Sequence, residues 1–174
     1  MDVLFKTVHG SRLYGLNHAG SDEDFYTVVS KVKTKRAKYA RQSIVDGVDS
    51  MTMDIGTWLR YCEMGVPQAL EAMFSSMPIV DHIGPLRAQY RVGTGVYERY
   101  LRTMKSFALN DEADEQKAYK KRRHAIRLAY NFREMREVGR FNPTLTPVHR
   151  AVCNLSAERE GQQVYELALT IAWS

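Results

Sequence analysis

The chain has 174 residues, 44% hydrophobic and 26% charged, which bounds it to one globular domain or one domain with a helical extension. No apolar run approaches the ~18 residues of a membrane-spanning helix, and two widely separated cysteines, Cys62 and Cys153, argue against a disulfide framework and for buried thiols in a reducing compartment. The net charge of +5 points to anionic partners such as nucleotides or RNA, and the expected location is the cytoplasm. In chain order, Val3 to Val8 reads as a buried strand, Ser11 to Leu16 as a short helix after a Gly-Ser turn, and Phe25 to Val29 as a second strand. A polar Asn-His-Ala-Gly-Ser loop joins the helix to that strand.

The residue types in this opening stretch suit phosphate and metal chemistry. Gly10 has no Cβ to keep a ligand from the backbone. Ser11 stands at a helix start, where free N–H groups and the positive dipole end favour phosphate. Asp22 and Asp24, two apart on a strand, share a face while Glu23 points to the other. Two hard oxygen ligands side by side suit Mg²⁺, which takes one or two carboxylates with substrate phosphates.

Gly10-Ser11, ten residues, then Asp22-Glu23-Asp24 resembles the signature of the DNA polymerase β-like nucleotidyltransferase superfamily. The fuller string from His9 to Asp24 is similar to its small predicted bacterial and phage nucleotidyltransferases. The resemblance continues from Asp54 to Ser75 and, more loosely, from His124 to Gly139. It implies an α+β fold: a small mixed β-sheet nucleotidyltransferase core with helices on one side, residues 1–78, followed by a helical C-terminal region, residues 79–174, packed on the core. It implies metal-dependent transfer of a nucleoside monophosphate from an NTP to a hydroxyl acceptor. Asp22, Asp24 and a third carboxylate from a neighbouring strand would hold two Mg²⁺, with Mn²⁺ as an alternative ion. Asp49, at the entry of a strand expected over 43–53, is the candidate and Asp46 the fallback. Many relatives carry a second acid two residues along, where this chain has Met51. Gly10 and Ser11 would bind the β- and γ-phosphates, with Arg12 as a further contact.

Between the second and third strands, Lys31, Lys33, Lys35, Arg36, Lys38 and Arg41 stand without an acidic residue. They read either as a solvated loop or as a basic flap that grips RNA, with Tyr39 available for base stacking. Asp54 is the expected N-cap of a helix over 55–64 closed by Gly65, and Pro67 opens the next helix. Pro78 to Pro85 reads as a connector. Leu86 to Phe107 resumes a helical pattern interrupted at Gly93-Thr94-Gly95. Asp111 is the expected start of the longest helix, with Ala125, Leu128, Phe132 and Met135 as its buried stripe and Gly139 as its stop. His124, Arg127 and Asn131 fall on an adjacent face. There the family resemblance sets His124 and Arg127 toward the triphosphate or the acceptor, against a plain reading as a helix flank. Val148 to Leu155 and Gln162 to Trp173 read as terminal helices.

Other chemistries lack their motifs. The glycines at 10, 15 and 20 do not make a dinucleotide fingerprint, no Gly-Lys-Ser/Thr follows for a P-loop, and five scattered histidines lack zinc-site spacing. Two readings from other classes stand beside the enzyme: an antitoxin-like interaction protein that modifies or masks a partner protein, and a catalytically silent RNA-binding module using residues 31–41 and 117–127. The intact Asp22/Asp24 pair favours catalysis, with RNA ahead of a protein or a small molecule as acceptor.

Overall fold

The structure, a computed structural model, describes residues 1–32 and 39–174. The central part of the basic stretch therefore lies outside the described residues. Contacts divide the chain into two units, Met1–Tyr90 with Asn142–Thr144, and Arg91–Phe141 with Leu145–Ser174.

The first unit is built on a mixed sheet. Strand β1 (Val3–His9) runs into α1 (Gly10–Tyr14), then β2 (Glu23–Val29), β3 (Ala40–Val45), β4 (Val48–Asp54), α2 (Ile55–Glu63), α3 (Pro67–Met73), β5 (Pro78–Asp81) and α4 (Gly84–Gln89). The spatial order is β3-β4-β2-β1-β5, antiparallel except for the parallel pair β2 and β4. One face is marked by Phe5, Thr7, Tyr26, Val28 and Met53, all buried. Helix α2 covers it: Trp58 stacks on Phe5 with ring centroids 5.8 Å apart and donates from Nε1 to the Ala69 carbonyl at 3.1 Å. As expected, Asp54 caps α2 by accepting from Thr57 N at 2.7 Å, and Pro67 opens α3.

Two sequence expectations change here. The strand expected over 43–53 is a hairpin, β3 and β4, turning on Asp46 and Gly47 at φ 51° and 76°. Both central residues need the left-handed region in this tight turn, and Asp-Gly is its preferred sequence. The segment read as a connector, Pro78 to Pro85, contains β5, which pairs with β1, and the start of α4. Arg87 of α4 explains why this stretch is tied down. Buried to 9% exposure, it donates from Nε to the Met73 carbonyl at 3.1 Å, bonds to the Ser75 carbonyl and to Asp81, and lies 4.1 Å over the Phe5 ring.

The second unit is helical: α5 (Val96–Ala108), α6 (Glu115–Val138), α7 (Pro147–Ser156) and α8 (Gly161–Trp173). Ala125, Leu128, Phe132 and Met135 form the buried stripe of α6, as their spacing predicts. Phe132 meets Tyr97 of α5 and Trp173 of α8 edge-on, at 5.4 and 5.2 Å between centroids. Helix α6 starts at Glu115, later than expected from Asp111, because Asp114 is the residue whose carboxylate accepts from Gln116 N and Lys117 N. Gly139 ends it in the left-handed conformation. Cys62 and Cys153 are buried and unbridged, and burial pushes the Cys153 thiol up to about 12. Among the described residues no helix is long and apolar enough to cross a membrane.

Candidate functional site

The site begins where β1 gives way to α1. Gly10 has φ +64°, and a Cβ there would lie 1.9 Å from Asp24 Oδ2, so only glycine lets the Asp24 carboxylate rest against this backbone. Strand register then gathers the carboxylates. Asp24 is opposite His9 on one side and Asp49 on the other, and paired residues of neighbouring strands point to the same face. Going inward along that face, the next partners are Thr7, Tyr26 and Met51, so the carboxylates stand where the buried face opens. Burial raises the pKa of the Tyr26 phenol, which donates to Met53 Sδ at 3.0 Å and stays neutral beneath them. Both Asp49 oxygens accept from Gln42 Nε2, at 3.1 and 2.8 Å.

Asp22 is exposed and precedes β2 by one residue, where the sequence places it on the strand. The reason is the loop before it, which His18 and Ser21 fold into a compact turn: Ser21 Oγ accepts from His18 N at 2.9 Å, and His18 Nδ1 accepts from Gly20 N at 3.1 Å. Arg12 fastens that loop to α1 by donating to the Ser21 and Asp22 carbonyls at 3.2 and 3.4 Å. Asp46 sits in the hairpin turn. In the helical unit, the buried Arg127 donates to His124 Nδ1 at 3.1 Å, and the Asn131 amide one turn on is buried without a hydrogen-bond partner among the described residues.

A further group of side chains, without a motif to mark it in the sequence, lies beside Gly10. Glu71 of α3 is fully buried, the Tyr14 hydroxyl donates to its Oε2, and His9 Nε2 lies 3.4 Å from the same oxygen. Its one sequence signal is a carboxylate within the otherwise apolar run Ala69-Leu70-Glu71-Ala72-Met73.

Among the described residues no group of three or more His, Cys, Asp or Glu could hold a metal ion on its own. Asp24 and Asp49, side by side on adjacent strands, nevertheless provide the one or two carboxylates that Mg²⁺ takes when phosphate and water complete its shell. The donor set fits a divalent cation bound together with a phosphorylated substrate.

Residues 1–167 match the family described as the RNA repair pathway DNA polymerase beta family, RlaP. The chain belongs to that family. The resemblance read from Gly10-Ser11 and Asp22-Glu23-Asp24 is thus shown, and family and α+β fold together make the chain nucleotidyltransferase-like. Among solved structures it is similar to a nucleotidyltransferase-like protein from Exiguobacterium sibiricum 255-15, at 12% identity and a TM-score of 0.38, over 99% of this chain and 68% of that one. No curated protein matches it.

Proposed function

We propose that this member of the RNA repair pathway family transfers a nucleoside monophosphate from an NTP to a hydroxyl of RNA, with Mg²⁺ or Mn²⁺ bound in the site. The observation that carries the reading is the in-register pair Asp24–Asp49, with the Asp24 carboxylate against Gly10. The acceptor oxygen would bond to the α-phosphorus as the bond to the bridging oxygen breaks, with pyrophosphate leaving and the hydroxyl proton passing to solvent. Asp22, Asp24 and Asp49 would hold the divalent ions. Divalent ions held by these carboxylates would supply a lowered pKa for the attacking hydroxyl and charge neutralisation for the phosphates. Gly10 and Ser11 would present backbone N–H groups and a hydroxyl to the β- and γ-phosphates, and Arg12, beside them on α1, would add positive charge. His124 and Arg127 are proposed to meet the triphosphate or the RNA. Catalysis then rests on positioning and charge neutralisation, with the substrate supplying the nucleophile. A cytoplasmic setting, with NTP and RNA at hand, suits the two unbridged cysteines.

Incubation with each α-labelled NTP, Mg²⁺ and RNA tests the reading, with whole lysate as the arm for a protein acceptor. Label is expected in RNA and absent after chelation of the metal. Label in protein alone would move the acceptor assignment to the antitoxin-like reading, and no label anywhere would overturn the enzyme.

Two variants refine the assignment. Glu23 pairs with Val48 and points away from the carboxylate face, so Glu23→Gln is expected to keep label transfer within about twofold of wild type. A loss matching that of Asp24→Asn would show the strand face to be misassigned. Changing Lys33, Lys35, Arg36 and Lys38 to Ser should weaken RNA binding and reduce its dependence on salt, through lost counterion release. NTP affinity should stay within about twofold, because the proposed nucleotide site uses local donors and metal. Parallel collapse of both affinities would assign these cations to the nucleotide.

A further inference from the structure

We propose that Glu71 is a positioning residue for the Gly10–Ser11 segment, acting through His9 and Tyr14. The assignment rests on the nucleotidyl-transfer reading for its effect on substrate and on geometry alone for its effect on the chain. A carboxylate at 0% exposure in an apolar helix is costly to keep unless partners satisfy it. Two of its neighbours here, Tyr14 and His9, come from one short segment. Tyr14, the last residue of α1, donates to Oε2, and His9, the residue just before the helix, sets Nε2 3.4 Å from the same oxygen, in ion-pair range without a hydrogen bond. One buried oxygen therefore bonds the last residue of a five-residue helix and lies within ion-pair distance of the residue before its first.

Burial of Leu13 and the Thr144 bond to the Leu13 carbonyl hold the middle of that helix, while Glu71 lies at its two ends. The helix is far shorter than the ~12 residues at which isolated helices become marginally stable, and no side chain caps its N-terminus. His9 packs at 5.5 Å from the Tyr26 ring and 6.2 Å from that of Tyr14, so its ring has a defined seat. It is also the strand partner of Asp24, whose carboxylate rests on Gly10. A shift at Glu71 is thereby passed to the two groups that the proposed reaction needs closest together, the turn backbone and Asp24.

The test uses the full chain and two readouts. The first is amide hydrogen exchange without nucleotide. Tyr14→Phe and His9→Gln each remove one leg, and Glu71→Gln removes the charge while keeping an acceptor. Exchange at Ser11 to Gly15 should rise by about fivefold or more in each, with the amides of β2 and β4 as in wild type. Unchanged exchange at 11–15, or an equal rise throughout the sheet, would overturn the proposal and leave Glu71 a packing residue. The second readout is KM and kcat for the four common ribonucleoside triphosphates with Mg²⁺. The KM of the NTP used should rise about tenfold in Glu71→Gln, fall back partly in Glu71→Asp, and rise no further when His9→Gln is added, since coupled residues are non-additive. Fully additive effects would overturn the link through His9. A wild-type protein that turns over no NTP would defeat the transfer reading, while hydrogen exchange would still decide the role of Glu71.

Discussion

Replacing Asp22 and Asp24 together by Asn is expected to reduce label transfer at least about a thousandfold, roughly 4 kcal/mol of transition-state stabilisation. The amide keeps the shape of the carboxylate and loses the charge that attracts a divalent ion. Stability should change little, because Asp22 is exposed and Asp24 stands at the open end of its strand pair. The check is a label-transfer assay beside a thermal melt. Loss of transfer at an unchanged melting temperature assigns the carboxylates to chemistry, whereas retained activity would remove the metal site from the proposal. Single variants separate the two. Asp24→Asn should carry most of the loss, since Asp24 alone of the two is in register with Asp49.

Gly10→Ala is expected to abolish transfer by a different route. The new Cβ would meet Asp24 Oδ2 at 1.9 Å and Cγ at 2.9 Å, on a backbone at φ +64° that L-residues avoid. The left-handed conformation alone costs about 1–2 kcal/mol. Relief of the clash requires the Asp24 carboxylate or the α1 backbone to move. Gly47→Ala is the matched control: φ there is +76°, but the Cβ would make only ordinary contact with Asp22 Oδ1, at 3.9 Å. Both variants should lose stability in a denaturant titration, Gly10→Ala the more because of its clash, and Gly10→Ala alone should lose transfer by about a hundredfold or more. Equal activity in the two would mean that the Asp24–Gly10 contact has no part in the reaction.

What the sequence made legible was local. Gly10 to Asp24 could be read as turn, short helix and strand because each signal lies within a few residues of the next. The Asp54 cap, Pro67 and Gly139 announced their helices in the same way. Elements that depend on distant partners were not legible. Strand β5 is four residues that begin on a proline, and it is a strand because β1 supplies its hydrogen bonds. The hairpin was missed because alternation across 43–53 overshadowed the Asp46-Gly47 turn. At the site, Glu71 gave almost no sign, since its partner Tyr14 is 57 residues away in the chain. Strand register, which brings Asp49 beside Asp24, likewise follows from the assembled sheet.

The contribution of Asn142–Thr144 to the sheet unit bears on how a nascent chain would complete that unit. Thr144 Oγ1 donates to the Leu13 carbonyl of α1 at 2.8 Å, across 131 residues. Emerging from a ribosome N-terminus first, the chain can pair all five strands by residue 81. The helix that follows the Gly10 turn still has to wait for residue 144. By then α5 and α6 have already been synthesised, so the segment proposed to cradle phosphate receives its last tether late in translation.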